Sequence, residues 1–321
     1  MEQRNNIVQQ LVRGKLYIAG EYAILENYSK SIITVVDKFI KITINKSEEM
    51  YLDSDFYGKA DNIEKFPEIN KFVNYILDVI EKDDKFYIKI ESELIKDNIK
   101  FGLGSSAAVF VGIAKVIFKY YGLEFKKQKI FRIVALYNIL NGKNGSMGDI
   151  AAIVYDGIIM YQKFNYESLL NQLKEKTIKD VVDSRWEGLL IEELDAKIKL
   201  NVKMNVQWTG DIVDTNNHIN FIEDIRKDIN YKKFVRESNF LVINLRKAMV
   251  NGNSDEFFEK INLIRKNLLT LEEYGLVMET DKMKEYLKGK IGKQSGSGGG
   301  DMIISFEKDT KFNIEINLNE L

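Results

Sequence analysis

Between Phe101 and Gly122 the chain reads FGLGSSAAVFVGIAKVIFKYYG. In a helix, Val109, Phe110, Val111, Ile113, Val116, Ile117 and Phe118 would cover most faces with apolar side chains, so that helix has to be interior, with other elements packed around it. Gly122 is a natural C-terminal stop. At the other end, Gly102 and Gly104 carry no Cβ, which permits positive φ and lets an anion approach the backbone. Ser105 and Ser106 are expected to open the helix, with hydroxyls that can cap backbone N–H groups or reach a phosphate or a metal ion. The helix N-terminus itself favours negative charge, so any chemistry belongs at this end. On these residues alone, a Gly-Ser turn capping a core helix is the plainer account and is to be preferred.

At 321 residues the chain is longer than one hydrophobic core serves, a limit of roughly 250 to 300 residues, and two domains are expected. Hydrophobic residues at 45% and aromatics at 11% suit a folded globular protein. Lys+Arg 47 against Asp+Glu 48 leaves a net charge of -1, which gives no basis for a nucleic-acid or membrane-surface partner. With Cys at 0 there is no thiolate nucleophile and no cysteine metal cluster. The single histidine, His218, is read as structural and weakens a serine-histidine triad. Catalysis would fall to carboxylate, lysine, hydroxyl and backbone groups. MEQRNNIVQQ lacks the apolar core of a signal peptide, and Lys115 interrupts the longest apolar run, so a soluble cytoplasmic chain is expected.

Along the chain, Lys15 to Gly20 (KLYIAG) reads as a short strand and Ser31 to Asn45 as two paired strands. Asp53 to Asn70, with the only proline at Pro67, reads as a loop before a helix over Lys71 to Glu81, and Phe86 to Glu91 as a strand. Lys127 to Leu140 is helical in spacing and ends in a turn from Asn141 to Gly145. Ser146 then stands as an N-cap with Asp149 three residues on, a capping-box spacing with Asp in place of Glu or Gln. Asp149 therefore has an ordinary structural explanation. Gly157 to Phe164 reads as a strand closing a first domain, with domains over 1–165 and 166–321. Leu189 to Trp208 is strand-like and Asn217 to Leu287 mainly helical. QSGSGGGD, Gln294 to Asp301, has the composition of a flexible linker. A strand pattern follows it directly, so a backbone that approaches a ligand closely is the better reading.

Taken together and in this order, KLYIAGEYAIL, FGLGSSAA, NGSMGDIAA and SGSGGGD resemble the GHMP kinases, a superfamily of small-molecule kinases. The resemblance implies an α+β fold of two domains, the first like the second domain of ribosomal protein S5 and the second ferredoxin-like. It implies ATP and Mg2+ as cofactors, a small-molecule substrate, and a monomer or homodimer. By the same resemblance, Gly102, Leu103, Gly104, Ser105, Ser106 and Ala107 would surround the ATP phosphates, with Ser106 the favoured magnesium contact. Lys15 and Asp149 would be the catalytic pair, Asp149 serving mainly to position Lys15 and magnesium. Tyr22, Ser146, Gly296, Ser297 and Gly298 would join Lys15 around the acceptor.

Within the superfamily the stretches are most similar to the branch that phosphorylates phosphomevalonate, in the mevalonate route to isoprenoids. Mevalonate or another small acceptor remains open beside it, as does a catalytically silent ligand sensor. A sensor could dispense with Lys15 or Asp149, and both are present. Asp97-Asn98-Ile99-Lys100 leads into the glycine loop where many members carry a proline, and Ser297 stands where alanine is usual. An acceptor phosphate would also need local cations; Arg13, Lys143 and Arg185 are candidates with no motif behind them, and surface charge is the simpler account of each.

Overall fold

A computed structural model describes residues 7–55, 57–96, 99–143, 145–211 and 222–319. His218 lies outside them. Two compact units interleave along the chain: the first holds Met1–Gly14, Asp37–Asp156 and Glu167–Trp186, the second Lys15–Val36, Gly157–Tyr166 and Glu187–Leu321. In chain order come β1 (Val8–Ala19), β2 (Lys30–Ser47), β3 (Tyr51–Ser54), β4 (Gly58–Asn62), α1 (Pro67–Val79), β5 (Lys85–Ser92), β6 (Ile95–Lys96), β7 (Ile99–Lys100) and α2 (Ser105–Tyr120). Then follow α3 (Lys127–Leu140), α4 (Gly148–Tyr155), β8 (Ile159–Gln162), α5 (Tyr166–Glu175), α6 (Ile178–Asp183), β9 (Leu190–Glu193) and β10 (Val202–Trp208). The remaining elements are α7 (Ile229–Asn251), α8 (Ser254–Leu269), α9 (Asp281–Tyr286), β11 (Ile291–Ser295), β12 (Met302–Lys308) and β13 (Asn313–Asn317).

In the first unit the latter part of β2 pairs antiparallel with β5, setting Ile40 against Ser92, Ile42 against Ile90 and Ile44 against Ile88. Those isoleucines, with Phe86, are fully buried, the period-two pattern of a sheet with one covered face. β3 joins β5 in parallel and β4 closes a hairpin on β3. Three expectations are corrected here. Ser31 to Asn45 is not a strand pair but the body of one continuous strand: no glycine or proline falls between Lys30 and Ser47, and exposed Asp37 is carried within it. The segment expected as a loop holds the β3–β4 hairpin, too short for its alternation to register. α1 starts at Pro67 rather than Lys71, because a proline at the first helical position gives up an N–H that has no intrahelical partner there.

α2 is interior as its sequence requires: from Ala107 to Phe118 every residue is buried. Phe110 meets Phe72 of α1 edge to face with centroids 4.6 Å apart, and Tyr137 of α3 at 5.6 Å. Its C-terminus closes through Gly122, whose N–H bonds the Lys119 carbonyl at 3.1 Å while the Leu123 N–H bonds that of Phe118 at 2.9 Å.

In the second unit the first part of β2 pairs antiparallel with β8, and β8 with β9. A four-stranded sheet runs β11-β12-β10-β13, antiparallel except for the parallel β10–β13 pair. Met302, Ile303 and Ile304 are all fully buried, so β12 is covered on both faces. Ile303 packs with Met283 and Leu287, and Phe306 sits edge to face on Phe257 of α8 at 5.1 Å. Sheet and helices together make the expected α+β architecture. Among the described residues no helix is long and apolar enough to cross a membrane.

Because Phe110 is 2% exposed at the meeting of α1, α2 and α3, Phe110→Ala should lower unfolding free energy by about 3–5 kcal/mol. A urea titration would show this as an earlier midpoint at unchanged slope. An unmoved midpoint would mean that this junction does not carry the stability of the unit.

Candidate active site

The glycine loop of the first unit is anchored by alternate residues. Phe101 and Leu103 are buried, at 4% and 1% exposure, while Gly102 and Gly104 between them stay partly exposed. The two glycines sit at φ +74° and +76°, the left-handed region that side-chain-bearing residues seldom enter. Gly104 is itself the cap residue of α2 and, having no side chain, makes no side-chain cap bond to the first turn. Ser105 and Ser106 open the helix as expected, and the cap position falls to the glycine before them. Ser105 is its first residue and is buried, Ser106 is exposed, and Ala107 is buried. The first-turn N–H groups are thus left for an anion, where the helix dipole favours one.

Ser146 and Asp149 belong to the same unit. α4 begins at Gly148, with Met147 as its cap at φ +62°, a strained conformation for a methionine. Ser146 is therefore not the cap. Its Oγ accepts the Gly148 N–H at 3.2 Å, and the half-buried Asp149 is the second helical residue, accepting the Ile150 N–H through Oδ1 at 2.9 Å. No capping box forms, because the left-handed Met147 moves the helix start two residues past Ser146. The structural explanation of Asp149 read from the spacing falls away.

Of the cations weighed for an acceptor phosphate, Arg13 bonds Asp156 at 2.8 Å and Asp37 at 3.2 Å, and Lys143 pairs with Glu68. Arg185 is exposed. Among the described residues no three His, Cys, Asp or Glu side chains form a metal cage. Magnesium needs none when one or two protein oxygens act beside phosphate and water. The hydroxyl of exposed Ser106 and the carboxylate of Asp149 are hard-oxygen donors of that kind.

The second unit holds Lys15, Tyr22 and the third glycine segment. Lys15 is half-buried on β1, its ammonium 5.4 Å from the centre of the Tyr17 ring. Tyr22 follows at φ +61° and is 6% exposed. Its hydroxyl donates to the Ser297 carbonyl, and burial, then the Glu21 charge, pushes the phenol well above its usual range, so it remains a donor. Gly296, Ser297 and Gly298 form the turn between β11 and β12. At Gly298, φ +73°, a Cβ would lie 2.8 Å from the Met278 carbonyl, which also accepts the Gly299 N–H at 3.1 Å. The segment is thus a fixed hairpin turn, tied at its start by the Ser295 hydroxyl to the Tyr17 carbonyl at 2.8 Å.

Beneath this turn lies a pair that sequence reasoning passed over. Lys293, 0% exposed, donates to Glu21 Oε1 and to the Gln294 carbonyl, both at 2.5 Å, and Glu21 is 3% exposed. Burial pulls the lysine below its ordinary range, and Glu21 opposes the shift. Glu21 Oε2 is buried with no hydrogen-bond partner. A lysine inside the strand leading into the glycines was the available signal, but its partner is 272 positions away.

A family model for the GHMP kinases N terminal domain matches residues 69–157. A Lin0012 protein from Listeria innocua is 30% identical, the match covering 94% of this chain and 91% of that one at TM-score 0.86. Streptococcus pneumoniae phosphomevalonate kinase, solved with phosphomevalonate and AMPPNP, is 26% identical over 94% and 92% of the two chains, with TM-score 0.85. Phosphomevalonate kinase of Streptomyces sp. (strain CL190) is 26% identical across 91% of this chain and 87% of that one.

Removing one partner of a fully buried ion pair strands the other charge. Lys293→Met should therefore destabilise by about 3–5 kcal/mol, and adding Glu21→Leu should restore most of it. Denaturant titration of both single variants and the double one tests this. A double variant no more stable than Lys293→Met would show that the lone carboxylate is not the source of the loss.

Proposed function

The chain belongs to the GHMP kinases, and we propose that it transfers the terminal phosphoryl group of ATP to (R)-5-phosphomevalonate, giving 5-diphosphomevalonate and ADP. The observation that carries this reading is the likeness over 94% of the chain to a structure whose bound molecules are phosphomevalonate and AMPPNP. The glycine loop supports it: two left-handed glycines and an uncapped helix start suit a polyphosphate.

Phosphoryl transfer passes through a state with charge spread over the moving group, so the protein's part is mostly alignment and electrostatic stabilisation. The backbone of Gly102 to Ala107 would hold the nucleotide phosphates. Lys15 would offset charge on the moving group. Tyr22, Ser146 and the turn at Gly296 to Gly298 would orient the acceptor. Ser106 and Asp149 would hold magnesium, which would supply positive charge against that of the phosphates. The attacking group is a phosphate oxygen, and a phosphate monoester, with second pKa of about 6, is already mostly ionised at neutral pH. No strong base is required, and Asp149 acts by orienting groups rather than by taking a proton.

The test is a coupled ADP-release assay with Mg-ATP against phosphomevalonate, mevalonate, homoserine and galactose. Turnover is expected with phosphomevalonate alone, and Lys15→Ala should lower kcat by about 10²–10³-fold, as loss of a charge-stabilising group does. The acid limb of kcat/KM should lie near the acceptor's own pKa of about 6 in wild type and in Asp149→Asn alike. Turnover with mevalonate in place of phosphomevalonate would overturn the acceptor. An acid limb that disappears in Asp149→Asn would make that residue a base.

A further inference from the structure

An α-helix leaves its last carbonyls without intrahelical partners. At the end of α4 three of them accept from cations on three different elements. Lys115 Nζ of α2 bonds the Ile153 carbonyl at 3.0 Å, Lys127 Nζ of α3 that of Tyr155 at 3.2 Å, and Arg13 Nη2 of β1 that of Asp156 at 2.7 Å. Arg13 also holds the Asp156 carboxylate through Nε at 2.8 Å, with Nη1 3.2 Å from Asp37. Three positive groups thus meet the negative end of the helix dipole.

Lys115 is the telling member. It is 7% exposed in a helix that is otherwise apolar on every buried face, where a leucine or methionine would fill the space without desolvating a charge. Burial, opposed by Asp156 and reinforced by Lys127 and Arg13, lowers its pKa to about 8, so at neutral pH the side chain is still mainly an ammonium. The Phe125 ring lies 5.4 Å away.

The two helices joined here are the two whose opposite ends carry candidate chemistry. α2 starts at the glycine loop, and α4 has Asp149 in its first turn. With 8 residues α4 makes few hydrogen bonds of its own, and so short a helix is held in place by what packs on it and caps it. The bond from Lys115 to Ile153 sets the register of one helix along the other.

We propose that Lys115, with Arg13 and Lys127 beside it, is a positioning residue that fixes α4 along α2 and so sets where Asp149 stands relative to phosphates held at the glycine loop. This rests on the functional reading of those two segments above. Asp149 makes the chemical contact, and Lys115 acts through the helix.

The experiment compares wild type, Lys115→Met, Lys115→Arg and Lys127→Met in the ADP-release assay and by amide hydrogen exchange. Lys115→Met should lower kcat by about 10- to 100-fold, the effect of a small misplacement of a reacting group, with the KM of both substrates little changed. Exchange at residues 150–156 should quicken while the α2 interior stays protected. Lys115→Arg, which restores a donor and a charge, should recover most of the lost kcat. Unchanged kcat in Lys115→Met, or a loss that appears only in KM, overturns the proposal. If Lys115→Met does not fold, the half-buried Lys127→Met carries the same expectations and the same refutation. If wild type turns over no acceptor, the functional reading fails separately, and exchange alone decides: unaltered exchange at 150–156 in the lysine variants overturns the clamp.

Discussion

A helix buried on every side can show only its ends to solvent, and α2 imposes that condition on the first unit. From Ala107 to Phe118 no residue is exposed. α1 and α3 bring Phe72 and Tyr137 against Phe110 to complete the covering. What remains accessible is the last turn, where Lys119 is exposed, and the start, where Ser106 is exposed and Gly104 serves as a cap without a side chain. The same burial that stabilises the unit therefore leaves a helix N-terminus as its place to meet an anion, with the dipole aimed outward. Core and site follow from one requirement.

Among the described residues three lysines are buried, Lys115, Lys163 and Lys293, and the first and last answer the cost of desolvation differently. Lys293 meets a carboxylate, Glu21, so that a charge pair replaces a lone charge. Lys115 meets a backbone carbonyl at a helix end, where three cations share the partial negative charge of the terminus. Either could have been a hydrophobic residue as far as packing is concerned. Both instead join segments distant in sequence whose neighbours are candidate site residues: Tyr22 and Ser297 beside the first pair, Asp149 on the helix held by the second. A buried charge with one acceptable partner selects one arrangement, because any slip along the helix or strand leaves it unsatisfied.

The interior helix, its Schellman close at Gly122, the helices and most strands were legible because each is a local pattern of apolar period and punctuation. The α+β fold was legible through the order of four glycine-bearing segments. β2 was misread because the exposed Asp37 resembles a break, yet only glycine, proline or a turn forces one, and the two halves of the strand simply have different neighbours. The start of α4 was misread because nothing in the sequence marks Met147 for the left-handed region; its backbone is held there by tertiary context. Glu21 with Lys293, and Arg13 and Lys127 with the end of α4, were invisible for a simpler reason. Each is a contact across long sequence separations, and a single lysine or arginine carries no mark of its partner.

Arg13 shows how context changes what a residue can do. Read from the sequence, it was a candidate cation for a phosphate with no motif behind it, and surface charge was the simpler account. In the structure its guanidinium serves Asp156 and Asp37 at once and caps a carbonyl, so taking up a ligand phosphate would mean giving up several bonds in its own unit. Lys15, half-buried beside the Tyr17 ring, stands next to an aromatic face where Arg13 stands between carboxylates. A cation held by two carboxylates is already largely neutralised before any ligand arrives. Those surroundings are acquired only on folding, and they turn Arg13 from a cation near the start of the chain into a tie between a strand and the end of a helix in its own unit.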